Sequence, residues 1–247
     1  MTVLVVGASG ATGRHLVNQL LLNGNDVRII VRSKENLPKS WDEDENLEII
    51  TANLLDLNEK ELIRYTSNCD AIASCLGHNI TFKGIYGQPR KLVTDATKRL
   101  CNAIKNREPR SPIKYVLMNT SGNSNRDLNE PVSFAQKCVI GLLRLLLPPH
   151  VDNEQAADYL RTQIGQNNRY IEWVAVRPDG LIDEEVVTPY ESYPSPIRSA
   201  IFNAGKISRI NVGHFMAALI NDNKLWLKWK GQMPLVYSKT SISNSEK

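Results

Sequence analysis

Short, β-branched apolar runs alternate along this chain with longer segments in which apolar residues recur every three or four positions. The runs predict strands at 2–6, 27–31, 47–51, 71–74, 115–119 and 171–176, and the longer segments predict helices at 12–22, 57–65, 92–105, 131–147 and 152–167. Such alternation is typical of βαβ units, and nearly continuous apolar strands indicate helices on both faces of a parallel sheet. The pattern therefore predicts an α/β fold with a doubly wound parallel sheet.

The pattern weakens after Pro178. Prolines break the segment 190–196, a helix is predicted at 212–221, a late strand at 235–237, and a polar tail follows. A chain of 247 residues suits one large domain. We expect a single Rossmann-type domain over 1–247, with a core at 1–182, a small C-terminal, substrate-side extension at 183–237 and a flexible tail at 238–247.

The composition of the chain bears on which partners it binds and on the cellular compartment in which it works. The 30 basic and 26 acidic residues are scattered, so the net charge of +4 favours a small anionic ligand and no nucleic-acid partner. The four cysteines lack metal-site spacing, which predicts no metal site and a reducing, cytoplasmic setting, and no secretory leader is evident. The apolar run 138–147 contains Arg144 and is too short for a membrane span.

A glycine-rich loop joins the first predicted strand to the first helix. In this strand-to-helix context one glycine allows a tight turn, the next lets the backbone approach a pyrophosphate, and the third lets the helix pack closely. Free amides and the helix dipole then favour phosphate, although a plain strand-turn-helix is the alternative interpretation. The residues expected at the phosphates are Gly7, Ser9, Gly10, Ala11, Thr12 and Gly13.

The end of the second predicted strand bears on the choice of cofactor. An enzyme that prefers NAD usually has an acidic residue there for the ribose hydroxyls, whereas an arginine suits a 2′-phosphate. This chain has Arg32 and Ser33, followed by Lys34. The sequence therefore favours NADP(H), the alternative being that Arg32 is a solvated loop residue.

With this glycine loop and Arg32, the chain resembles the atypical short-chain dehydrogenase/reductases, and within them the NAD(P)H-binding group of NmrA-like proteins and biliverdin reductase B/flavin reductase-type enzymes. The resemblance implies that Asn53 and Leu54 lie by the adenine. It also implies that two later loops border the ribose and the nicotinamide, through Cys75, Leu76, Gly77, Thr120 and Ser121. The stretch 176–181 resembles the family's Arg-Pro-Gly turn, with Asp179 where glycine is usual.

One departure from that family puts ordinary alcohol and ketone dehydrogenase chemistry in doubt. No lysine has a tyrosine four residues before it, so the Tyr-x-x-x-Lys pair is missing, and the corresponding helix carries Ser133 and Lys137. The candidate catalytic residues are Ser121 and His150. The alternative interpretation of Ser121 is a turn residue, and a loose resemblance to the family places His150 near the active site. Asp152 is expected to be the N-cap of the helix after His150.

Two further features, a loop with a histidine and a tyrosine and a pair of tryptophans, have two interpretations each. His78 and Tyr86 form a lid over the cofactor or are exposed loop residues, and we favour exposure. Trp226 and Trp229 form a membrane-surface or partner-binding patch, or one of them packs in the core with solvated lysines around it, and we favour the core.

Two functions remain open on the sequence. The first is an NADPH-dependent reductase of a small conjugated acceptor, flavin- or quinone-like, which needs no tyrosine acid. The second is a non-catalytic NADP(H) sensor that contacts a regulatory protein partner, as the resemblance to NmrA-like proteins implies. Epimerase or dehydratase chemistry on a nucleotide sugar is a weaker third, because it normally requires the missing pair.

Overall fold

The computed structural model describes residues 1–78 and 81–239, and within them eight strands form one central sheet. The sheet order is β3-β2-β1-β4-β5-β6-β10-β8, in which β8 alone of these strands is antiparallel to its neighbour, and β7 and β9 form a separate parallel pair. The strands are β1 (Thr2–Val6), β2 (Asp26–Val31), β3 (Leu47–Thr51), β4 (Ala71–Ser74), β5 (Ile113–Met118), β6 (Ile171–Pro178), β7 (Gly180–Ile182), β8 (Tyr190–Tyr193), β9 (Lys206–Ser208) and β10 (Leu235–Ser238).

Helices connect the parallel strands. They are α1 (Ala11–Leu22), α2 (Glu59–Thr66), α3 (Phe82–Tyr86), α4 (Leu92–Arg107), α5 (Phe134–Leu146), α6 (Pro148–Tyr159), α7 (Arg209–Asn221) and α8 (Asn223–Trp229). A single 3-10 turn covers Lys39–Trp41, and a π-helical turn, Leu160–Ile164, continues α6.

Side chains of β1 alternate between the two faces of the sheet. Val3 and Val5 pack in the layer under α1, α7 and α8, whereas Leu4 and Val6 pack in the layer under α2, α4 and α6. All four are fully buried. This two-faced burial, together with the parallel order, confirms the predicted Rossmann-type, doubly wound fold.

Most predicted elements lie within one or two residues of their observed bounds, but α6 differs. The prediction began this helix at 152 and capped it with Asp152. The structure begins it at Pro148, because proline is tolerated in a first helical turn, where its missing N–H costs nothing. The N-cap assignment of Asp152 is therefore wrong, and its side chain points elsewhere. The predicted tail from residue 240 onward lies outside the described residues.

The C-terminal extension packs into the same sheet through β10 and β8, and a buried arginine ties it to the core. Arg177, at the end of β6, is fully buried and forms two hydrogen bonds with the Glu130 carboxylate, at 2.7 and 3.1 Å. It also donates to the carbonyls of Met233 and Asn123. Trp226 and Trp229 are both buried, so both tryptophans pack in the core, whereas the sequence predicted this for one of them.

Candidate functional site

A cavity of about 180 Å³ lies at the carboxyl ends of β1 to β4. In this sheet order the direction of winding reverses between β1 and β4, which is where open α/β sheets bind ligands. The lining comes from the glycine loop, the ends of β2 and β3, the loop after β4 and the start of α4. It consists of Val6, Gly7, Ser9, Gly10, Ile30, Val31, Arg32, Ala52, Asn53, Leu54, Cys75, Leu76, Gly77, Pro89 and Leu92.

The glycine loop has the close backbone contacts that its sequence predicts. Gly7 adopts φ +78°, and a Cβ on it would lie 2.5 Å from the carbonyl carbon of Cys75 in the neighbouring loop. A Cβ on Gly13 would lie 2.2 Å from the carbonyl oxygen of Gly7. Both positions therefore accept only glycine without backbone movement, and they form the cradle that a dinucleotide pyrophosphate requires.

The first turn of α1 faces this cradle. Its amides, from Ala11 to Gly13, have no acceptor within the helix, and the turn contains no acidic residue to compete for them. Arg14 holds the loop, since it donates to the carbonyls of Ser9 and Asn36, at 3.1 and 2.6 Å. The arrangement favours a phosphate group at this helix end.

The far side of the cavity carries positive charge. Arg32 is exposed, and among the described residues that line the cavity it is the one with a formal charge. No hydrogen bond or ion pair within the described chain holds its guanidinium, so its donors are available to a ligand. Ser33 does not line the cavity, and its hydroxyl accepts a hydrogen bond from the amide of Glu35.

The loops after β3 and β4 complete the cavity. Asn53 donates to the carboxylate of Asp56 at 2.8 Å, and Leu54 is buried beneath it. Burial raises the pKa of the Cys75 thiol to about 12, and its sulfur packs 3.9 Å from that of Met216. Cys75 therefore contributes apolar surface to the cavity and is not a nucleophile at neutral pH.

Ser121, a candidate catalytic residue, is joined to Asp179. Its hydroxyl lies 3.0 Å from Oδ1 of Asp179, whose other oxygen accepts from the amide of Gly205 at 2.7 Å. Asp179 is buried and also caps the amide of Gly180. The unusual aspartate thus fastens the loop after β5 to the turn after β6. Thr120 has a similar local role, because its hydroxyl accepts from Gly122.

His150 lies beside the same loop, in the first turn of α6. A Cβ on Gly122 would lie 3.4 Å from its Cε1, so the ring packs against the loop after β5. Its Nε2 is 3.4 Å from Oε1 of Glu154, and both side chains are nearly buried. The Glu154 carboxylate also accepts two hydrogen bonds from Arg144, at 2.8 and 2.9 Å.

The charge on Glu154 is stabilised inside the protein. Burial opposes its ionisation, but the two hydrogen bonds from Arg144 and the nearby His150 imidazole outweigh burial and lower its pKa to about 2. The pair of His150 and Glu154 is therefore an imidazole held against a carboxylate that stays ionised at working pH.

Replacement of Glu154 by glutamine should remove a pH-dependent share of the stability. Because the folded-state pKa is about 2 and the ordinary value is 4.5, the ionised carboxylate stabilises the fold above about pH 4.5 and loses this effect as pH falls towards 2. After allowance for the half-exposed Arg144, we expect Glu154→Gln to cost about 1–2 kcal/mol at pH 7. Urea unfolding of both proteins from pH 7 to pH 3 measures this, and a gap that did not narrow with acid would contradict it.

Asp152 and His78 form a second buried pair. The Asp152 carboxylate accepts from the amides of Val93 and Thr94, at 2.8 and 2.9 Å, and so caps α4 from a neighbouring helix. Burial opposes ionisation of Asp152, but hydrogen bonds from His78 and from Thr94 and Val93 lower its pKa. His78 contacts Asp152 at 2.8 Å and the carbonyl of Gly84 at 3.2 Å.

This pair corrects the preferred interpretation of His78 as an exposed loop residue, because only 7% of its side chain is exposed. Tyr86 is 41% exposed and its hydroxyl donates to the carbonyl of Leu146. Sequence reasoning missed the pair of His78 and Asp152, and it also missed Pro89 and Leu92 in the cavity lining. These residues meet segments far away in sequence and belong to no motif.

The structure brings most of the predicted cofactor residues to one cavity. Nine of them line it: Gly7, Ser9, Gly10, Arg32, Asn53, Leu54, Cys75, Leu76 and Gly77. Ala11, Thr12 and Gly13 lie next to it in α1, whereas Ser33, Thr120 and Ser121 do not line it. Within residues 1–78 and 81–239, no group of His, Cys, Asp and Glu side chains could hold a metal ion, and no helix is long and apolar enough to cross a membrane.

Comparison with solved structures shows the same fold. A short-chain dehydrogenase/reductase from Veillonella parvula, in complex with NADP, has 16% identity and a TM-score of 0.70 over 97% of this chain and 95% of that one. An anaerobillin reductase from Escherichia coli O157:H7 has 15% identity and a TM-score of 0.68, covering 97% and 98%. A protein from Streptococcus pneumoniae, proposed to be an NADH-flavin reductase, has 18% identity and a TM-score of 0.65, covering 97% and 100%.

Sequence comparison identifies the family. No curated protein sequence is significantly similar to the chain. The model of the NAD(P)H-binding family, however, matches residues 7–223, which include the glycine loop and every other predicted site residue. The expected resemblance is confirmed at this level, and the chain belongs to the NAD(P)H-binding family.

Proposed function

We propose that the protein is an NADPH-dependent oxidoreductase that reduces a small conjugated acceptor, flavin- or quinone-like. Bound NADPH would supply the hydride. The glycine loop and the first turn of α1 would hold the pyrophosphate, Asn53 and Leu54 would lie by the adenine, and Arg32 would bind the 2′-phosphate. A conjugated acceptor can take a hydride without a dedicated tyrosine acid, so the missing Tyr-x-x-x-Lys pair is compatible with this reaction.

The preference for NADPH over NADH rests on Arg32. Its guanidinium has no partner within the described chain and can form two charge-assisted hydrogen bonds with a phosphate. No acidic residue lines the cavity among the described residues, so nothing there would accept the ribose hydroxyls in the manner of an NAD-preferring site. The solved relative from Veillonella parvula contains NADP, which agrees with this proposal.

The observation that carries the proposed reaction is the pairing of His150 with Glu154 against the loop after β5. A reduced conjugated acceptor needs a proton, and the imidazole of His150, which packs on this loop, would supply it. The carboxylate of Glu154 would fix the ring and balance its charge. Ser121, whose hydroxyl already bonds Asp179, would position the loop. The similarity of the fold to those of an anaerobillin reductase and a proposed flavin reductase supports a conjugated acceptor.

Replacement of His150 by glutamine should slow reduction while leaving the cofactor bound. Glutamine fills similar space but cannot deliver a proton, so we expect kcat/KM for a quinone or flavin acceptor to fall about 100-fold, within the range of general acid catalysis. The Kd for NADPH should change less than about twofold, because His150 lies outside the cofactor cavity.

The matched control for this experiment is His214→Gln. His214 lies on α7 and bonds the hydroxyl of Tyr190 in β8, so its loss should leave the acceptor rate near that of the wild type. A rate for His150→Gln equal to that of the control would rule out the proton-donor role of His150.

A second function is favoured by the absence of a Tyr-x-x-x-Lys pair and by the engagement of the Ser121 hydroxyl with Asp179. Both fit a sensor that binds NADP(H) and transmits its presence to a regulatory protein partner. Such a protein would bind NADPH and leave it unoxidised with every acceptor. Turnover with any flavin or quinone separates the two functions.

A further inference from the structure

A second cavity, of about 300 Å³, lies between the loop after β5 and helix α5. It shares no residue with the cavity assigned above to the cofactor. Its lining combines an apolar surface with several charged groups: Ser124, Asn125, Arg126, Leu128, Glu130, Val132, Lys137, Ile140 and Arg144.

The charges around this cavity nearly cancel in pairs. Glu130 is neutralised by the fully buried Arg177, Arg126 pairs with Asp158 at 2.5 Å, and Arg144 pairs with Glu154. The ammonium group of Lys137 remains, because in the described part of the chain it has neither a hydrogen bond nor an ion pair. The cavity thus carries one uncompensated positive charge beside Leu128, Val132 and Ile140.

The same cavity is connected to the proposed proton donor. Its lining begins at Ser124, two residues after Gly122, on which the ring of His150 packs. On its other side, Arg144 holds Glu154, and Glu154 lies 3.4 Å from His150. A ligand in this cavity would contact Arg144, which is linked to His150 through Glu154.

We propose that this cavity binds the acceptor, and that the acceptor is a conjugated, largely apolar compound with one anionic group that pairs with Lys137. The apolar lining would bind the ring system, and the single free ammonium would select one carboxylate, sulfonate or phosphate. The identification of the ligand as the acceptor rests on the proposed function, but binding of the anionic group can be tested without any turnover.

The test is direct binding of anthraquinone-2-sulfonate, measured by calorimetry on the full chain with NADPH absent. A neutral probe, 2-(hydroxymethyl)anthraquinone, has the same rings without the charge. We expect Lys137→Glu to weaken binding of the sulfonate at least tenfold and binding of the neutral probe less than threefold. Lys137→Arg should retain sulfonate binding within about threefold of the wild type.

The matched control is Lys60→Glu, which makes the same change in net charge at an exposed lysine of α2. Its sulfonate affinity should equal that of the wild type. If the wild-type chain fails to bind the sulfonate, or if Lys60→Glu and Lys137→Glu weaken it equally, the proposed subsite is wrong.

Turnover then separates this inference from the proposed function. If neutral quinones oxidise NADPH but Lys137→Glu does not weaken sulfonate binding, the proposed reductase is supported and the proposed Lys137 subsite is wrong. If the sulfonate binds through Lys137 but no acceptor oxidises NADPH, the proposed reductase fails and the cavity is an anion site of a sensor.

Discussion

Arg32→Asp should weaken NADPH binding about 50- to 100-fold and change NADH binding less than about threefold. The substitution removes the charge-assisted hydrogen bonds to the 2′-phosphate and places a carboxylate near it, which together cost about 2–3 kcal/mol. NADH has ribose hydroxyls at that position, and the carboxylate of an aspartate can accept hydrogen bonds from them. The affinity for NADH should therefore be unchanged or higher. Fluorescence titration with each nucleotide measures both constants.

A change in overall charge could also lower the affinity for an anion, and Lys39→Asp controls for it. Lys39 is exposed and follows β2 in the same loop, but it does not line the cavity. Its replacement changes the net charge equally and should leave NADPH affinity within about twofold. Unchanged NADPH affinity in Arg32→Asp would show that Arg32 is only a solvated loop residue.

Gly13→Ala should destabilise the protein by about 2–3 kcal/mol and abolish measurable NADPH binding. The added Cβ would lie 2.2 Å from the carbonyl oxygen of Gly7 and 2.9 Å from Cα of Ala8. Both are backbone atoms, so α1 must move away from β1 and the cradle must open. Thermal unfolding and nucleotide titration measure the two effects.

Two other glycines make this experiment interpretable if Gly13→Ala fails to fold. A Cβ on Gly10 would lie 3.2 Å from Gly7 oxygen, so Gly10→Ala should fold and bind NADPH about tenfold more weakly. A Cβ on Gly141, inside α5, meets nothing within 4 Å, so Gly141→Ala should stabilise the helix by about 0.5–1 kcal/mol. Wild-type stability and affinity in Gly13→Ala would contradict the observed loop geometry.

The sequence predicted the sheet well, and nine of the residues that it assigned to the cofactor line one cavity, because both signals are local. The glycine loop follows a buried strand and opens a helix within seven residues, and its close contacts arise mainly from that turn. Arg32 directly follows the second strand. Because parallel strands end at the same edge of the sheet, this position places it beside the glycine loop. The two-faced burial of β1 similarly follows from a continuous apolar run.

The rest of the site depends on contacts between segments that lie far apart in sequence. Asp152 caps α4 across 58 to 59 residues and bonds His78 across 74, so local rules gave it a cap on its own helix and left His78 exposed. Asp179 departs from the glycine turn that the resemblance implies, and its carboxylate accepts a hydrogen bond from the Ser121 hydroxyl, 58 residues away, at 3.0 Å. No periodicity or motif in one sequence encodes such tertiary partners.

Three charged side chains lie at the three parts of the proposed site. Arg32 marks one end of the cofactor cavity, the Glu154 carboxylate marks the proposed proton donor, and Lys137 marks the second cavity. Arg32 follows β2, Glu154 lies on α6 and Lys137 lies on α5. The proposed reaction requires a bound NADPH that is oxidised only when a conjugated acceptor is present.

Titration of the purified protein with NADPH and NADH, followed by absorbance at the nicotinamide band as flavins and quinones are added, tests that claim most directly. The account predicts that NADPH binds more tightly than NADH and is consumed only after an acceptor is added. Failure to bind either nucleotide would contradict the cofactor site, and tight binding with no oxidation by any acceptor would contradict the reductase.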